Sequence, residues 1–230
     1  MKLASANIVF SVNVRRLPLA RLGDTVRELA SAGIGELKVD VCDGTFAPGF
    51  ALGFEIIEAL RESTNLPIHA HLMAERPERY IADFARLGCA GLTMPIEACT
   101  HAYRTFTQIR EAGLKANVSI NPGTALTKLE YVLPLVARVL VPVRDSNHGD
   151  EELPRAAFER VRILRENIEY HKTDASIAVE GGLSAVDAAR LAASGADCVV
   201  LDRADVLRAG ALSQTVRAFT EDVATARKTA

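Results

Sequence analysis

The stretch Lys38-Val39-Asp40-Val41-Cys42-Asp43-Gly44 decides how the rest of this chain is read. Successive side chains of a strand point to opposite faces, so Lys38, Asp40 and Cys42 share one side while Leu37, Val39 and Val41 share the other. The apolar side packs, and the other carries a cation and a carboxylate where a buried strand should carry neither. Unpaired charge inside a protein is costly, so Lys38 and Asp40 must pair with each other, with a metal, or with a ligand at the water-filled end of a strand. A purely structural ion pair satisfies the same physics, and only the company kept by these residues separates the two readings.

Working outward, short apolar runs alternate with segments of helical period, and no stretch marks a linker. Residues 1–230 are therefore expected to form one domain. The apolar runs cover 5–10, 36–42, 67–73, 91–95, 115–120, 138–143, 176–180 and 197–201. Helix-like segments lie between and after them at 19–32, 53–61, 77–87, 100–112, 124–133, 154–167, 184–194 and 206–226. Ser184 followed by Asp187 resembles an acidic capping box, Gly113 and Gly195 follow helix ends, and Pro154 suits a first turn. Eight βα units in a chain of this length predict an α/β fold of the closed (β/α)₈ barrel type. The main rival is an open doubly wound sheet, against which no Gly-x-Gly-x-x-Gly follows the first run.

Composition narrows the partners. With 49% hydrophobic and 24% charged residues and a formal net charge of −2, the chain has a core to bury and no basic excess for nucleic acid. The four cysteines have no Cys-x-x-Cys spacing and no secretory leader is recognised, so reduced thiols in the cytoplasm are expected. No apolar run approaches the ~18 residues of a membrane span.

In a barrel of this kind functional groups collect at the carboxyl ends of the strands. Polar residues stand there on several runs: Lys38 and Asp40, His69 and His71, the segment from Arg144 to Asp150, and Glu180-Gly181-Gly182. Asp40 and Glu180, on different strands, can flank a substrate, one to remove a proton beside a carbonyl and the other to return one to the opposite face. The enediolate between these steps needs a positive partner at its oxygens, a metal ion or a fixed ammonium, for which His71 and Lys38 are the candidates. His69, nearer the barrel bottom, reads as a core histidine.

At this point the chain resembles the ribulose-phosphate 3-epimerase family of metal-dependent (β/α)₈ enzymes. The resemblance runs through Leu66-Pro67-Ile68-His69-Ala70-His71-Leu72-Met73, Arg76-Pro77-Glu78-Arg79-Tyr80-Ile81, Ile96-Glu97-Ala98-Cys99, Asn121-Pro122 and Leu129-Glu130-Tyr131-Val132-Leu133. Val39-Asp40-Val41-Cys42-Asp43-Gly44 is similar to the family's H-V-D-V-M-D-G, and Val179-Glu180-Gly181-Gly182 to its V-D-G-G. The resemblance implies a sugar or sugar-phosphate epimerase of carbohydrate metabolism, with Asp40 and Glu180 as acid and base. It also implies a divalent ion on Asp40, His71 and Glu180, and Lys38 stands where the family has its remaining ligand. A protonated lysine brings no lone pair, so the substitution counts against the ion. No organic cofactor is implied.

The family's phosphate grip is altered as well. Its N-P-G-F-G-G-Q loop and G-S pair become Arg144-Asp145-Ser146-Asn147-His148-Gly149-Asp150 and Asp202-Arg203. Arg144 and Arg203 can fork onto a phosphate while Asp145, Asp150 and Asp202 oppose it. Arg203 can equally pair with Asp202 or Asp205 at the surface. The expected substrate-binding set is Asn7, His71, Met73, Arg144, Gly149, Gly181, Gly182 and Arg203, with Lys38 joining the catalytic pair. The segment from Arg144 to Leu153 is expected to cover the ligand. The expected partner is a keto-sugar or its phosphate, and the chain is expected to be a homo-oligomer. Two alternatives use the same barrel: a binding protein with impaired catalysis, and an aldolase or decarboxylase that uses Lys38 on an enolate or Schiff base.

Overall fold

The computed structural model describes residues 8–144, 152–207 and 211–229. Eight strands, β1 (Val9–Asn13), β2 (Glu36–Cys42), β3 (Ile68–Met73), β4 (Gly91–Pro95), β5 (Lys115–Ser119), β6 (Arg138–Pro142), β7 (Ser176–Glu180) and β8 (Cys198–Leu201), pair in chain order, and β8 returns to β1. Every pairing is parallel, as a βα repeat requires. Helices α1 (Leu22–Ser31), α2 (Phe54–Ser63), α3 (Ile81–Arg86), α4 (Ala102–Glu111), α5 (Arg155–Tyr170), α6 (Ala185–Ala193), α7 (Ala204–Leu207) and α8 (Leu212–Thr229) supply the connections and the closing segment. The arrangement is the (β/α)₈ barrel.

The alternation within each strand sorts the side chains into two environments. Outward residues such as Val39, Leu92, Val139 and Val199 join the buried faces of the helices in one large apolar cluster. Phe84 and Phe106 are completely buried there, each contributing about 1.5–3 kcal/mol by removal from water. Inward residues are mostly polar: Ser11, Asn13, Glu36, Lys38, Asp40, His69, His71, Thr93, Asn117, Ser119 and Glu180 are all buried. Among the described residues only Leu140, Ala178, Cys198 and Val200 form an inner apolar patch, on β6, β7 and β8. The barrel interior is thus a polar column in an apolar sleeve.

Three elements depart from expectation. The first strand is Val9–Asn13, not 5–10. The alternation continues past Phe10, with Ser11 and Asn13 inward and Val12 outward, and Asn13 therefore occupies the carboxyl end of β1. Asn7 precedes the strand and lies outside the described residues. Between β5 and β6 the expected helix gives way to 3₁₀ turns at Leu126–Leu129 and Leu133–Leu135. Pro134 disfavours helical backbone at Leu133 and removes a donor, so the apolar spacing of this segment is met by turns. The final helix begins at Leu212, after the short α7, where a continuous helix over 206–226 was expected.

Candidate active site

Lys38 lies midway along β2 with its side chain inside the barrel, 5% exposed. Its Nζ is 2.5 Å from Asp40 Oδ1, two residues up the same strand, and 2.7 Å from Glu180 Oε2 on β7. The second contact lies outside hydrogen-bond alignment, so Oε2 is buried with an ionic neighbour and without a hydrogen bond. Asp40 is more heavily engaged. Asn13 Nδ2 donates to its Oδ2 at 2.7 Å, and His71 Nδ1 lies 3.2 Å from Oδ1. His71 Nε2 is in turn 3.0 Å from Ser119 Oγ on β5. Strand register sets this up, pairing Asn13 with Lys38, Asp40 with His71, and Pro142 with Glu180 around the barrel.

The charges respond to this packing. Burial disfavours the charged form of Lys38, but Asp40 and Glu180 outweigh it and hold the ammonium well above the ordinary lysine range. Burial likewise opposes the Asp40 carboxylate, and Lys38 with His71 overcomes it, holding Asp40 far below the usual range. Asp202, one residue past β8, goes the other way: burial and the nearby Glu180 push it up to about 6, although Gly182 N–H donates to its Oδ1 at 2.7 Å.

These groups surround a cavity of about 410 Å³ at the carboxyl end of the barrel, bounded also by Met73, Phe46 and Pro142. Phe46 is presented by the loop after β2. Asp43 Oδ1 accepts Thr45 N–H at 2.8 Å and Phe46 N–H at 3.0 Å, while its Oδ2 accepts Glu75 N–H at 2.7 Å. These bonds also hold Asp43 below its ordinary pKa. Opposite, Arg144 donates from Nε to Gly181 O at 2.6 Å and from Nη2 to Gly182 O at 2.7 Å. Gly181 has φ +136, and a Cβ there would stand 3.0 Å from Arg144 O, so only glycine suits this approach.

The structure brings Lys38, Asp40, His71, Met73, Arg144, Gly181 and Glu180 to one cavity. Gly182 adjoins it with its N–H engaged by Asp202. For Arg203 the local ion pair is the contact that forms. Its guanidinium pairs with Asp205, Nε to Oδ1 at 3.0 Å and Nη2 to Oδ2 at 2.6 Å, and it is not among the residues lining the cavity. Gly149, and residues 145–151 of the expected covering segment, lie outside the described residues. Asn13 and Ser119 also line the cavity and were not singled out, and Asp202, expected to oppose a phosphate, lines it too. For Asn13 the available signal was a polar residue ending a strand, as at Glu180.

Residues 9–205 match the ribulose-phosphate 3 epimerase family. The chain is similar to the ribulose-phosphate 3-epimerase of a Synechocystis species, 34% identical over 198 residues, which cover 85% of this chain and 86% of that protein. It is also similar to the ribulose-phosphate 3-epimerase of Bacillus subtilis, 34% identical over 182 residues, 79% of this chain and 84% of the relative. The chloroplastic ribulose-5-phosphate-3-epimerase of Arabidopsis thaliana is 31% identical over 86% of this chain and 72% of its own length. Among solved structures, a mutant tryptophan synthase alpha-subunit from Pyrococcus furiosus superposes with a TM-score of 0.70 at 16% identity, covering 97% of this chain and 100% of that one. That last likeness concerns the fold alone.

Proposed function

Because the chain belongs to the ribulose-phosphate 3-epimerase family, we propose that Asp40 and Glu180 are its acid and base and that the Lys38 ammonium is its electrophile. Membership makes the chain an epimerase acting on a keto-sugar or keto-sugar phosphate through an enediolate. The observation that carries the assignment of roles is the ammonium lying 2.5 Å from one carboxylate and 2.7 Å from the other.

One carboxylate enters the cycle ionised and removes the proton from carbon beside the carbonyl. The carbonyl oxygen gains the charge and meets the ammonium; the other carboxyl, entering protonated, delivers its proton to the opposite face. Glu180 is the readier acceptor, since both Asp40 oxygens are already engaged. When Lys38 turns toward the substrate oxygen, its hold on Asp40 relaxes, Asp40 gains proton affinity, and it takes up a proton from water at the open cavity mouth before serving as the acid.

A divalent ion, which the family implies, does not fit these residues. Lys38 Nζ stands against the oxygens that would hold it, and both nitrogens of His71 are engaged, by Asp40 and Ser119. Two like-signed charges near 4 Å apart, one of them double, repel by about 8 kcal/mol at an effective dielectric of ~20. No step is therefore routed through a metal. A Schiff base on Lys38 is disfavoured on the same grounds, because the two carboxylates keep the amine protonated and un-nucleophilic.

A cytoplasmic location fits the free thiols Cys42, Cys89, Cys99 and Cys198. Among the described residues no helix is long and apolar enough to cross a membrane. A homo-oligomer without nucleic-acid partners completes the reading, and light scattering at several concentrations tests the assembly.

The mechanism is tested in heavy water. A ketose turned over by the enzyme should take up deuterium beside its carbonyl, and Asp40→Asn and Glu180→Gln should each suppress uptake by about 100-fold or more. Undiminished exchange in both variants removes them from the mechanism. Chelation before the assay should leave the rate unchanged, and a stoichiometric metal essential for activity would overturn the role given to Lys38.

A further inference from the structure

The far end of the cavity, between β7 and β8, is formed by groups that the proton transfer does not use. Asp202 lines it and is 3% exposed. Its Oδ1 accepts the Gly182 N–H at 2.7 Å. The carbonyls of Gly181 and Gly182 accept from Arg144 at 2.6 and 2.7 Å. The glycine turn therefore has its amide satisfied by a carboxylate of the chain itself, and its carbonyls by a guanidinium. A backbone N–H at such a turn is an ordinary anchor for a phosphoryl oxygen, and here an internal anion already holds it.

An incoming phosphate would have to displace Asp202 from Gly182 and then lie beside that carboxylate in a buried place, with Glu180 close enough to act on Asp202 electrostatically. Arg144 does not offset this, because its Nε and Nη2 are turned onto the glycine carbonyls. A hydroxyl meets no such obstacle. It donates to the second carboxylate oxygen while Oδ1 keeps the Gly182 amide, so both partners are satisfied without moving charge.

We infer that Asp202 is a specificity-determining residue: it accepts a hydroxyl from the non-reacting end of an uncharged keto-sugar and excludes a phosphoryl group from that end of the cavity. The inference rests on the epimerase reading above and narrows its substrate to the unphosphorylated class.

The test compares free ketoses with their terminal phosphate esters in the wild-type enzyme, Asp202→Asn and Asp202→Gly, reading kcat/KM by deuterium uptake, alongside calorimetric titration with inorganic phosphate. The wild type should favour the free ketose by about tenfold or more and show no saturable phosphate binding in the millimolar range. Asp202→Gly, which removes the charge and releases the Gly182 amide, should shift the ratio toward the ester by about tenfold and acquire phosphate binding. Asp202→Asn keeps the shape and an acceptor for Gly182, and should shift the ratio the same way by a smaller factor, which covers a glycine variant that folds poorly. A wild type that prefers the ester, or binds inorganic phosphate saturably, overturns the inference, as does a ratio unmoved in both variants. Exchange with neither sugar would instead count against the epimerase reading, and the phosphate titration would still decide the role of Asp202.

Discussion

At Lys38 one ammonium holds two carboxylates that would otherwise face each other in a buried space. Removing only the cation is the costly change, since it leaves two anions uncompensated. Lys38→Met should therefore lose about 3–5 kcal/mol of stability. The loss should shrink as the pH is lowered, because protonation of one carboxylate relieves the repulsion. Urea midpoints at pH 8 and pH 5 check this, and a loss equal at both would mean that the carboxylates are not coupled through Lys38. A second titration belongs to His69, whose pKa burial pushes down to about 4 from an ordinary 6.5. The unfolded chain takes up that proton first, so the contribution of neutral His69 is complete above pH 6.5 and is lost as pH falls toward 4. The whole window is worth about 3 kcal/mol. His69→Gln loses the contact with Asn117 at every pH but should flatten the acid limb of stability between those values, and an unchanged slope would assign the acid sensitivity elsewhere.

At the scale of elements, what could be read in the chain follows from which signals repeat. Eight alternations of short apolar and helical segments were legible because each strand shows the sleeve one apolar face, and Lys38, Asp40, His71 and Glu180 stood out as charges or imidazoles breaking that pattern. Asn13 did not stand out, because one polar residue at the end of a run looks like the start of a loop and the first run was taken to end at Phe10. Arg203 was ambiguous because both fates, cavity and local ion pair, fit Asp202-Arg203-x-Asp205. Where local signals did suffice they make quantitative predictions. Ser184 Oγ accepts Asp187 N–H at 3.1 Å and donates to Asp187 Oδ2 at 2.8 Å, so Ser184→Ala should cost about 1 kcal/mol in a urea titration. Gly91 on β4 is inward, and a Cβ there would lie 2.8 Å from both His69 Nδ1 and Asn117 Nδ2 and 3.0 Å from Lys115 O. Gly91→Ala should therefore destabilise by about 1–3 kcal/mol through overpacking, although alanine has the better conformational entropy. A neutral or stabilising effect would show that the polar column is loose enough to yield.

Across the whole molecule the polar column has two tiers with different work. The upper tier, Lys38 with Asp40, His71 and Glu180, opens to the cavity. The lower tier lies at the amino ends of the strands. There Arg138 on β6 reaches across to Glu36 on β2 with both terminal nitrogens, the Nη2 to Oε2 bond being 3.1 Å, and His69 and Cys198 lie 3.5 and 3.6 Å from the same carboxylate. This contact joins residues 102 apart in sequence and bolts opposite sides of the barrel together. Burial raises the cost of either ion alone and is outweighed for each by its partner: Glu36 is held below the ordinary carboxylate range and Arg138 above the ordinary range for arginine. Bottom-face groups in a barrel stabilise while top-face groups react, so the two tiers should separate in experiment. Glu36→Ala or Arg138→Ala alone should cost about 3–5 kcal/mol, because each strands a buried charge. Glu36→Leu with Arg138→Met, which removes both charges and keeps most of the volume, should cost much less than the sum of the single changes, with a coupling of about 1–3 kcal/mol in a double-mutant cycle. In the folded double variant kcat/KM should stay within about threefold of the wild type, since neither residue reaches the cavity. A large fall in kcat/KM with stability restored would show that the lower tier tunes the charges above it.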